Sequence, residues 1–437
     1  MQQIIADCAD KCSSKVIDHV KKPWLTGRFH ELLRKRRNEN CRVERSRLSK
    51  LITRELRAGL RAWKTQKLQS QLEAFRDIKH SCRIHDALSV GSASCNIEPQ
   101  QFANSLAEIY KSSDGDVYWN ASEVARVRPF TVDELHAGLR KLASNKSGDH
   151  HGVVAEMLKH GSELLHTCIL HNFNSMLTTG IFPEDWHHIL FKMLQKTGNL
   201  NSVDNWRPIV ILPILYKLFN HLVLARIFPV LDSCQDDNQL GFRPGMRLEN
   251  AFATLESLLS SCHEFHLNLW VASLDMRKAF DRLEFKALFR ALRQYGLDEP
   301  HLNLIAALYA NQEATVEGSS KFNIERGVKQ GDIISPLLFN IALQFAFDRW
   351  RAQNQRNHGW LVCDIHTRLT NTRYADDILL YAKSAAELQM MVESLFAELR
   401  LIGLDANPSK TKILTTDDHY SNAPSFIDID GDFVDVV

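Results

Sequence analysis

Two adjacent acids, Asp376 and Asp377, sit between segments that read as strands, Arg368 to Tyr374 before them and Ile378 to Ala382 after. Side chains alternate along a strand, so neighbouring carboxylates can be aimed at one place only where the chain turns sharply. The pattern predicts a hairpin with both acids at its turn. Like charges side by side repel, and a hard divalent cation, which wants oxygen ligands, offsets that repulsion. A solvated hairpin tip, for which Asp is a favoured residue, is the plain alternative. The rest of the chain decides between them.

At 437 residues the chain is long enough for two or three domains with substantial cores. The net charge of +1 hides an asymmetry: Lys21 to Arg83 holds 19 Lys and Arg against 6 Asp and Glu. The remainder carries 34 basic and 46 acidic residues. A basic segment on an acidic body suggests an arm for a polyanion. Nine cysteines, an odd number without a CxxC pair, argue for reduced thiols inside a cell, in nucleus or cytoplasm, and against a disulfide framework. Cys262-His263 and His266 could ligate a metal, but no second pair lies near them in sequence. Met1 to Asp10 lacks the apolar core of a signal peptide. The most apolar run, Pro208 to Leu231, is broken by Pro213, Lys217, Asn220, His221, Arg226 and Pro229. It is expected to be a buried strand leading into a helix, with no membrane as partner.

Between residues 21 and 80, Leu48, Leu51, Ile52, Leu56, Leu60, Trp63, Leu68, Leu72 and Phe75 recur at three- and four-residue steps among basic positions. That is helical periodicity with a cationic outer face, suited to phosphate contact; a solvated helical linker is the alternative. Arg34, Lys35, Arg36 and Arg37 are its densest cluster. Residues 81–125 are weakly patterned and read as a connector. A capping box at Thr131 to Glu134 opens a helix to about Leu142, and helices follow over 153–160 and 162–179, the second closed by Gly180. Strands are expected at 189–195 and at Trp206 to Ile209, with a helix from there to about Ile227. Further helices are expected over 248–261, from Asp281 to Gly296, from Ser335 to about Trp350, and from a second capping box at Ser384 to Leu401. Leu269 to Leu274 reads as a buried strand presenting Asp275 at its C-terminal end, and 312–328 as a strand pair.

If the strand ending in Asp275 neighbours the Asp-Asp hairpin, three carboxylates converge at one end of a sheet. Three are enough to hold two Mg²⁺ ions about 3.5–4 Å apart, one activating an attacking hydroxyl and the other stabilising a departing pyrophosphate.

In this order the blocks resemble the reverse transcriptases of non-LTR (LINE-type) retrotransposons, relatives of group II intron enzymes, over about residues 128–415. The resemblance implies an α+β right-hand polymerase fold. Fingers would span 126–265 and palm 266–437, after a basic helical extension and connector at 1–125. The implied reaction is RNA-directed DNA synthesis, with RNA template, DNA primer and dNTPs as partners, and Mg²⁺ (or Mn²⁺ in its place) as cofactor. Leu274 to Asp281 matches the first catalytic strand. Asp275 is then a metal ligand beside Asp376 and Asp377, with the Met276 backbone carbonyl assisting. Phe280 falls where the family has an aromatic that blocks a ribonucleotide 2′-hydroxyl, although a core role is open to it. Gln330 and Gly331, in the block Gly327 to Phe339, would line the nucleotide pocket. Trp206-Arg207-Pro208-Ile209 matches the fingers block whose Arg grips the triphosphate, and Lys196 stands where a fingers Lys has a similar task. Gly241 to Gly245 resembles an insertion block, making Arg243 a candidate nucleic-acid contact. Asn407 to Lys412 places Lys410 to protonate or shield the leaving pyrophosphate.

Two departures stand out. Relatives carry a Pro-Gly-Pro-Asp-Gly loop where this chain has Gly148-Asp149-His150-His151-Gly152. The chain also ends at Val437, where the family continues into a helical thumb, so weak primer retention is expected. A noncatalytic RNA-binding remnant and an intron-encoded maturase-type enzyme are the rival readings.

Overall fold

The computed structural model describes residues 27–38, 44, 46–55, 58, 97–112, 117–195, 201–354, 358–361, 368–417, 426–429 and 432–435. The chain divides into two compact units, Met1–Ala93 with Asn145–Val154, and Ser94–Ser144 with Ala155–Val437. The first contains the helix Gly27–Asn38, on which Arg34, Lys35 and Arg36 are exposed and Lys35 pairs with Glu31 at 2.7 Å. The Arg37 side chain lies outside the described residues. In the departing loop, the Asp149 carboxylate accepts the backbone N–H groups of His151 and Val153 at 3.0 and 2.9 Å, closing a tight turn.

The second unit is a mixed α+β domain built on two four-stranded sheets. The first comprises β1 (His188–Gln195), β2 (Trp206–Ile211), β4 (Gln312–Val316) and β5 (Phe322–Ile324), in the order β2-β1-β4-β5. Its β1–β4 pair is parallel, His188 against Glu313, so the sheet joins segments far apart in sequence. The second comprises β3 (Trp270–Leu274), β8 (Asn371–Tyr374), β9 (Asp377–Ala382) and β10 (Lys412–Thr415), fully antiparallel in the order β10-β3-β9-β8. Two short hairpins complete the strands: β6 (Trp360–Leu361) with β7 (Arg368–Leu369), and β11 (Phe426–Ile429) with β12 (Asp432–Asp435).

Both faces of the second sheet are covered, which is why β3 is apolar at every position but Ser273. The helix Ala385–Arg400 packs on β3 and β9 with Leu388, Met391, Val392, Leu395 and Leu399 buried at three- and four-residue spacing. The helix Leu248–Glu264 adds Leu255, Leu258 and Cys262 to a cluster with Leu269, Val271 and Tyr381. The helix Ile214–Asp232 is apolar and long enough to cross a membrane by composition. In this fold it is a core helix, with Tyr216, Leu218, Phe219, Leu222 and Val223 almost wholly enclosed. Phe130, Phe173, Phe182 and Trp186 surround the Phe219 ring at centroid distances of 5.2 to 5.9 Å. Truncating any one of these rings to Ala would cost about 3–5 kcal/mol.

Many elements lie where the pattern places them, but the helix Glu299–Tyr309 and the strand Lys412–Thr415 had no element assigned, and two other segments differ. The stretch read as a connector contains the helix Pro99–Tyr110, whose Phe102, Ala103, Leu106 and Tyr110 are buried. The helix expected from Asp281 is two pieces, Ala279–Arg282 and Phe285–Gln294, broken where Leu283 turns extended. Gly180 takes the left-handed conformation expected of a helix terminator, φ +66°. The Thr131 capping box forms in full.

Glu134 of that box also holds Arg226, Oε1 to Nε at 2.8 Å, and the guanidinium lies over the Phe130 ring at 4.3 Å. Arg226 pulls the Glu134 carboxyl down from 4.5 to about 2. A depressed folded-state pKa means that the unfolded chain takes up the proton more readily. The stabilisation, about 1–2 kcal/mol for a pair that solvent still reaches, is therefore present above pH 4.5 and disappears as pH falls through 2. Glu134→Gln should lower stability by about that amount at pH 7. In urea unfolding series the gap between variant and wild type should shrink to about half by pH 3.

Candidate active site

The β8–β9 hairpin closes in two residues: Tyr374 pairs with Asp377, leaving Ala375 and Asp376 as the turn. Ala375 sits at φ +60°, a left-handed conformation that a side chain resists. On the other side of β9, Leu274 of β3 pairs with Ile378. One further step in the same register sets Asp275 across from Asp377, where Cβ atoms of opposed residues are about 5 Å apart. The three acids that the sequence singles out are thus brought to one end of one sheet.

Their electrostatics report the crowding. Burial raises the Asp376 carboxyl above its usual range, the charges of Asp377 and Asp275 push it further up, and Arg207 opposes them. Burial and then Asp275 raise Asp377 in the same way. Asp275 Oδ2 accepts a hydrogen bond from Asn407 Nδ2 at 2.7 Å and has Lys410 Nζ at 3.9 Å. The backbone around it is fixed as well: Asn407 N–H donates to the Asp275 carbonyl at 2.8 Å, and Met276 bridges to Ala406. An all-oxygen donor set is the kind that a hard divalent cation such as Mg²⁺ or Mn²⁺ takes.

Phe280 is half-buried and held as a plate, stacked on Phe339 at 4.5 Å and 12° with Phe242 edge-on at 6.3 Å. Gln330 donates its amide to both oxygens of Asp281, at 2.9 and 3.0 Å, and Asp281 in turn accepts the Tyr110 hydroxyl at 2.6 Å. The Gln330 carbonyl accepts Val210 N–H at 3.1 Å, which ties this loop to β2, the strand of Arg207. Gly331 follows at φ +106°, a conformation that only glycine adopts without strain. Arg207 is exposed on β2 and within electrostatic reach of Asp376.

One expected contact differs. Arg243 turns its guanidinium inward, Nε to Asp232 Oδ1 at 3.0 Å and a terminal nitrogen to the Asp236 carbonyl at 2.7 Å. Its charge and donors are spent on closing the loop after the Ile214–Asp232 helix, not held out toward solvent. Lys196 lies outside the described residues.

Other residues of this neighbourhood had no role assigned from sequence. Asn407 orients Asp275, and Asp281 with Tyr110 orients Gln330. Arg373, next to the turn, is enclosed with Asp236 at 2.8 Å and the Phe347 ring at 4.2 Å. Lys329 is enclosed over the Tyr216 and Tyr309 rings, and burial lowers its pKa to about 8. Asn407, Asp281, Lys329 and Arg373 all stand inside or beside the motif blocks, a signal that neighbouring polar residues serve the same site. Tyr110 carried no such signal.

Comparison with known proteins places the chain. A profile described as "Reverse transcriptase (RNA-dependent DNA polymerase)" matches residues 194–424, which include every residue of the acidic cluster. The transposon TX1 149 kDa protein of Xenopus laevis is 26% identical over 269 residues, 61% of this chain and 20% of that protein. The Pol polyprotein of retrotransposable element R2DM of Drosophila melanogaster is 26% identical over 305 residues, 68% of this chain and 28% of its own length. That of element R2 of Popillia japonica is 31% identical over 241 residues, 54% of this chain and 33% of its own. The chain thus spans between a fifth and a third of these relatives. With the profile covering more than half its length, the chain belongs to the reverse transcriptase family and is homologous to the Pol proteins of non-LTR retrotransposons.

Proposed function

We propose that this chain adds deoxynucleotides to a primer 3′-hydroxyl under the direction of an RNA template, with Asp275, Asp376 and Asp377 as the catalytic, metal-holding carboxylates. The observation that carries this reading is the convergence of the three acids at one end of the β10-β3-β9-β8 sheet, within a chain of this family. That sheet and its helices would belong to the palm, and β1 and β2 with the helices before them to the fingers, while β4 and β5, which complete the first sheet, fall within the palm bounds of 266–437. The protein would work on nucleic acid in the nucleus or cytoplasm.

Two Mg²⁺ ions held by the three carboxylates and the Met276 carbonyl would lower the pKa of the attacking hydroxyl and offset charge on the departing pyrophosphate. The protein's own groups do the positioning. Arg207, exposed and within electrostatic reach of Asp376, would take triphosphate oxygens in a bidentate grip, and Lys196 would assist. Gln330 and Gly331 floor the nucleotide pocket, the first with its amide locked by Asp281, the second presenting no side chain. Phe280 cannot swing aside easily, because its ring is stacked on Phe339, so a 2′-hydroxyl would meet it sterically. Lys410, close to Asp275 and largely exposed, would meet the leaving group. The exposed Arg34, Lys35 and Arg36, with Arg37 beside them in sequence, would hold phosphates nonspecifically.

Purified protein should extend a DNA primer on an RNA template in a Mg²⁺-dependent manner, and Asp376→Ala should abolish extension. Extension that survives that change would remove the metal assignment; RNA retention in a gel shift with no extension by the wild type would favour a noncatalytic binding protein.

Arg207→Ala should raise KM for dNTP by about 10–30-fold, the worth of one charge-assisted contact, with a smaller effect on kcat. Phe280→Val should admit ribonucleotides, improving their kcat/KM relative to deoxynucleotides by about tenfold or more in single-nucleotide incorporation assays. An unchanged ratio would return Phe280 to a packing role.

A further inference from the structure

The two-residue turn carrying Asp376 is held in place by a neighbour distant in sequence. When the first central residue of a hairpin turn has positive φ it is normally Gly, and here it is Ala375 at φ +60°. Such a turn needs outside support to stay in one conformation. The support comes from residues 238–241, which run parallel to β8 with Gln239 opposite Arg373. Arg373 N–H donates to the Asn238 carbonyl and Leu240 N–H to the Arg373 carbonyl, both at 2.8 Å.

Gln239 itself is fully enclosed, and its side-chain oxygen accepts two backbone N–H groups, Ala375 at 3.1 Å and Gly241 at 3.0 Å. Both partners are donors, so the atom facing them must be the carbonyl oxygen of the amide. Gly241 lies flat against the turn: a Cβ there would stand 2.4 Å from Ala375 N and 2.8 Å from the Tyr374 carbonyl carbon. The far side of Gly241 is pinned by Asn340, whose amide donates to its carbonyl at 2.9 Å and to Gln235 Oε1 at 3.0 Å. Helix Ser335–Asn354, through Asn340, thus clamps the 238–241 segment, and that segment clamps the turn.

We propose that Gln239 is a positioning residue for the metal-holding turn, fixing with the bare α-carbon of Gly241 where Asp376 and Asp377 stand relative to Asp275. The inference rests on the two-metal reading above and adds to it the part that sets its geometry. A carboxylate pair displaced from its partner across the sheet still folds, but it no longer encloses a cation well. Losing a group that orients metal ligands costs about 10–100-fold in metal affinity.

The test is Mn²⁺ binding to the full chain, read as loss of the free-ion signal in electron paramagnetic resonance, with no nucleotide or nucleic acid present. Gln239→Met removes the acceptor at similar size; Gly241→Ala keeps Gln239 and pushes on the turn instead. Both should weaken Mn²⁺ binding about tenfold or more. Leu177→Ala, a core truncation on the helix Glu163–Thr179, should lower Tm and leave Mn²⁺ binding unchanged. Wild-type affinity in both Gln239→Met and Gly241→Ala would overturn the inference, as would an equal loss in Leu177→Ala, which would tie binding to stability alone. Mn²⁺ bound equally by wild type and Asp376→Ala, or by neither, would overturn the two-metal reading and this inference with it.

Discussion

Mutual repulsion among Asp275, Asp376 and Asp377 is the constraint that the surrounding structure answers. Burial and neighbouring charge both raise Asp376 and Asp377, so the fold spends stability to keep these carboxylates together. It does so by anchoring the backbone on every side of the cluster. Asp275 is fixed through Asn407, and the hairpin turn through Gln239. The antiparallel register then fixes the distance across β3 and β9. Rigidity in the main chain permits an unfavourable arrangement in the side chains.

The two sheets meet this cluster through one loop. Residues 327–332 run from β5 toward the Ser335–Asn354 helix, and Gln330 bonds to β2 with its carbonyl and to Asp281 with its amide. Arg207 on β2 and Asp281 just past β3 are thereby tied to the same residue. A displacement of β2 would be felt at Gln330, and through it at the segment that carries Asp275 and Phe280. The enclosed Lys329 and Asp332 in this loop serve the same end: Asp332 accepts from Asn220 and Tyr216, and Lys329 donates to the Tyr216 hydroxyl. The loop is anchored in the core by these buried polar contacts, with Asn220 Oδ1 alone among the four side chains left without a partner.

Local features of the chain were legible where the physics is local. The apolar run ending in Asp275, the acids flanked by strands, the Thr131 box and the Gly180 terminator each announce themselves within a few residues. Hairpin pairings between neighbouring segments were legible too, but pairings between segments far apart in the chain were not. The parallel register of His188 with Glu313, and the hydrogen bond of Tyr110 to Asp281 across 171 residues, leave no mark on either partner's surroundings. Tyr110 lies on a helix whose apolar positions are separated by Gln, Asn and Ser, so the stretch read as connector. Arg243 shows the opposite failure: a cation in a polar loop reads as solvent-facing, and only the fold reveals that Asp232 lies within reach. Charge type is visible in sequence, whereas the direction in which the charge is spent depends on distant partners.

The parallel run of residues 238–241 along β8 has a consequence for the sheet as a whole. β8 is the last strand in the order β10-β3-β9-β8, and an outermost strand normally offers its unpaired amides to any passing chain. Here Arg373 has already given both its N–H and its carbonyl to the loop beside it. Self-association by strand addition is thereby blocked next to the acidic turn, and a nascent or crowded copy of this chain cannot be drawn into a sheet with its neighbour through that border.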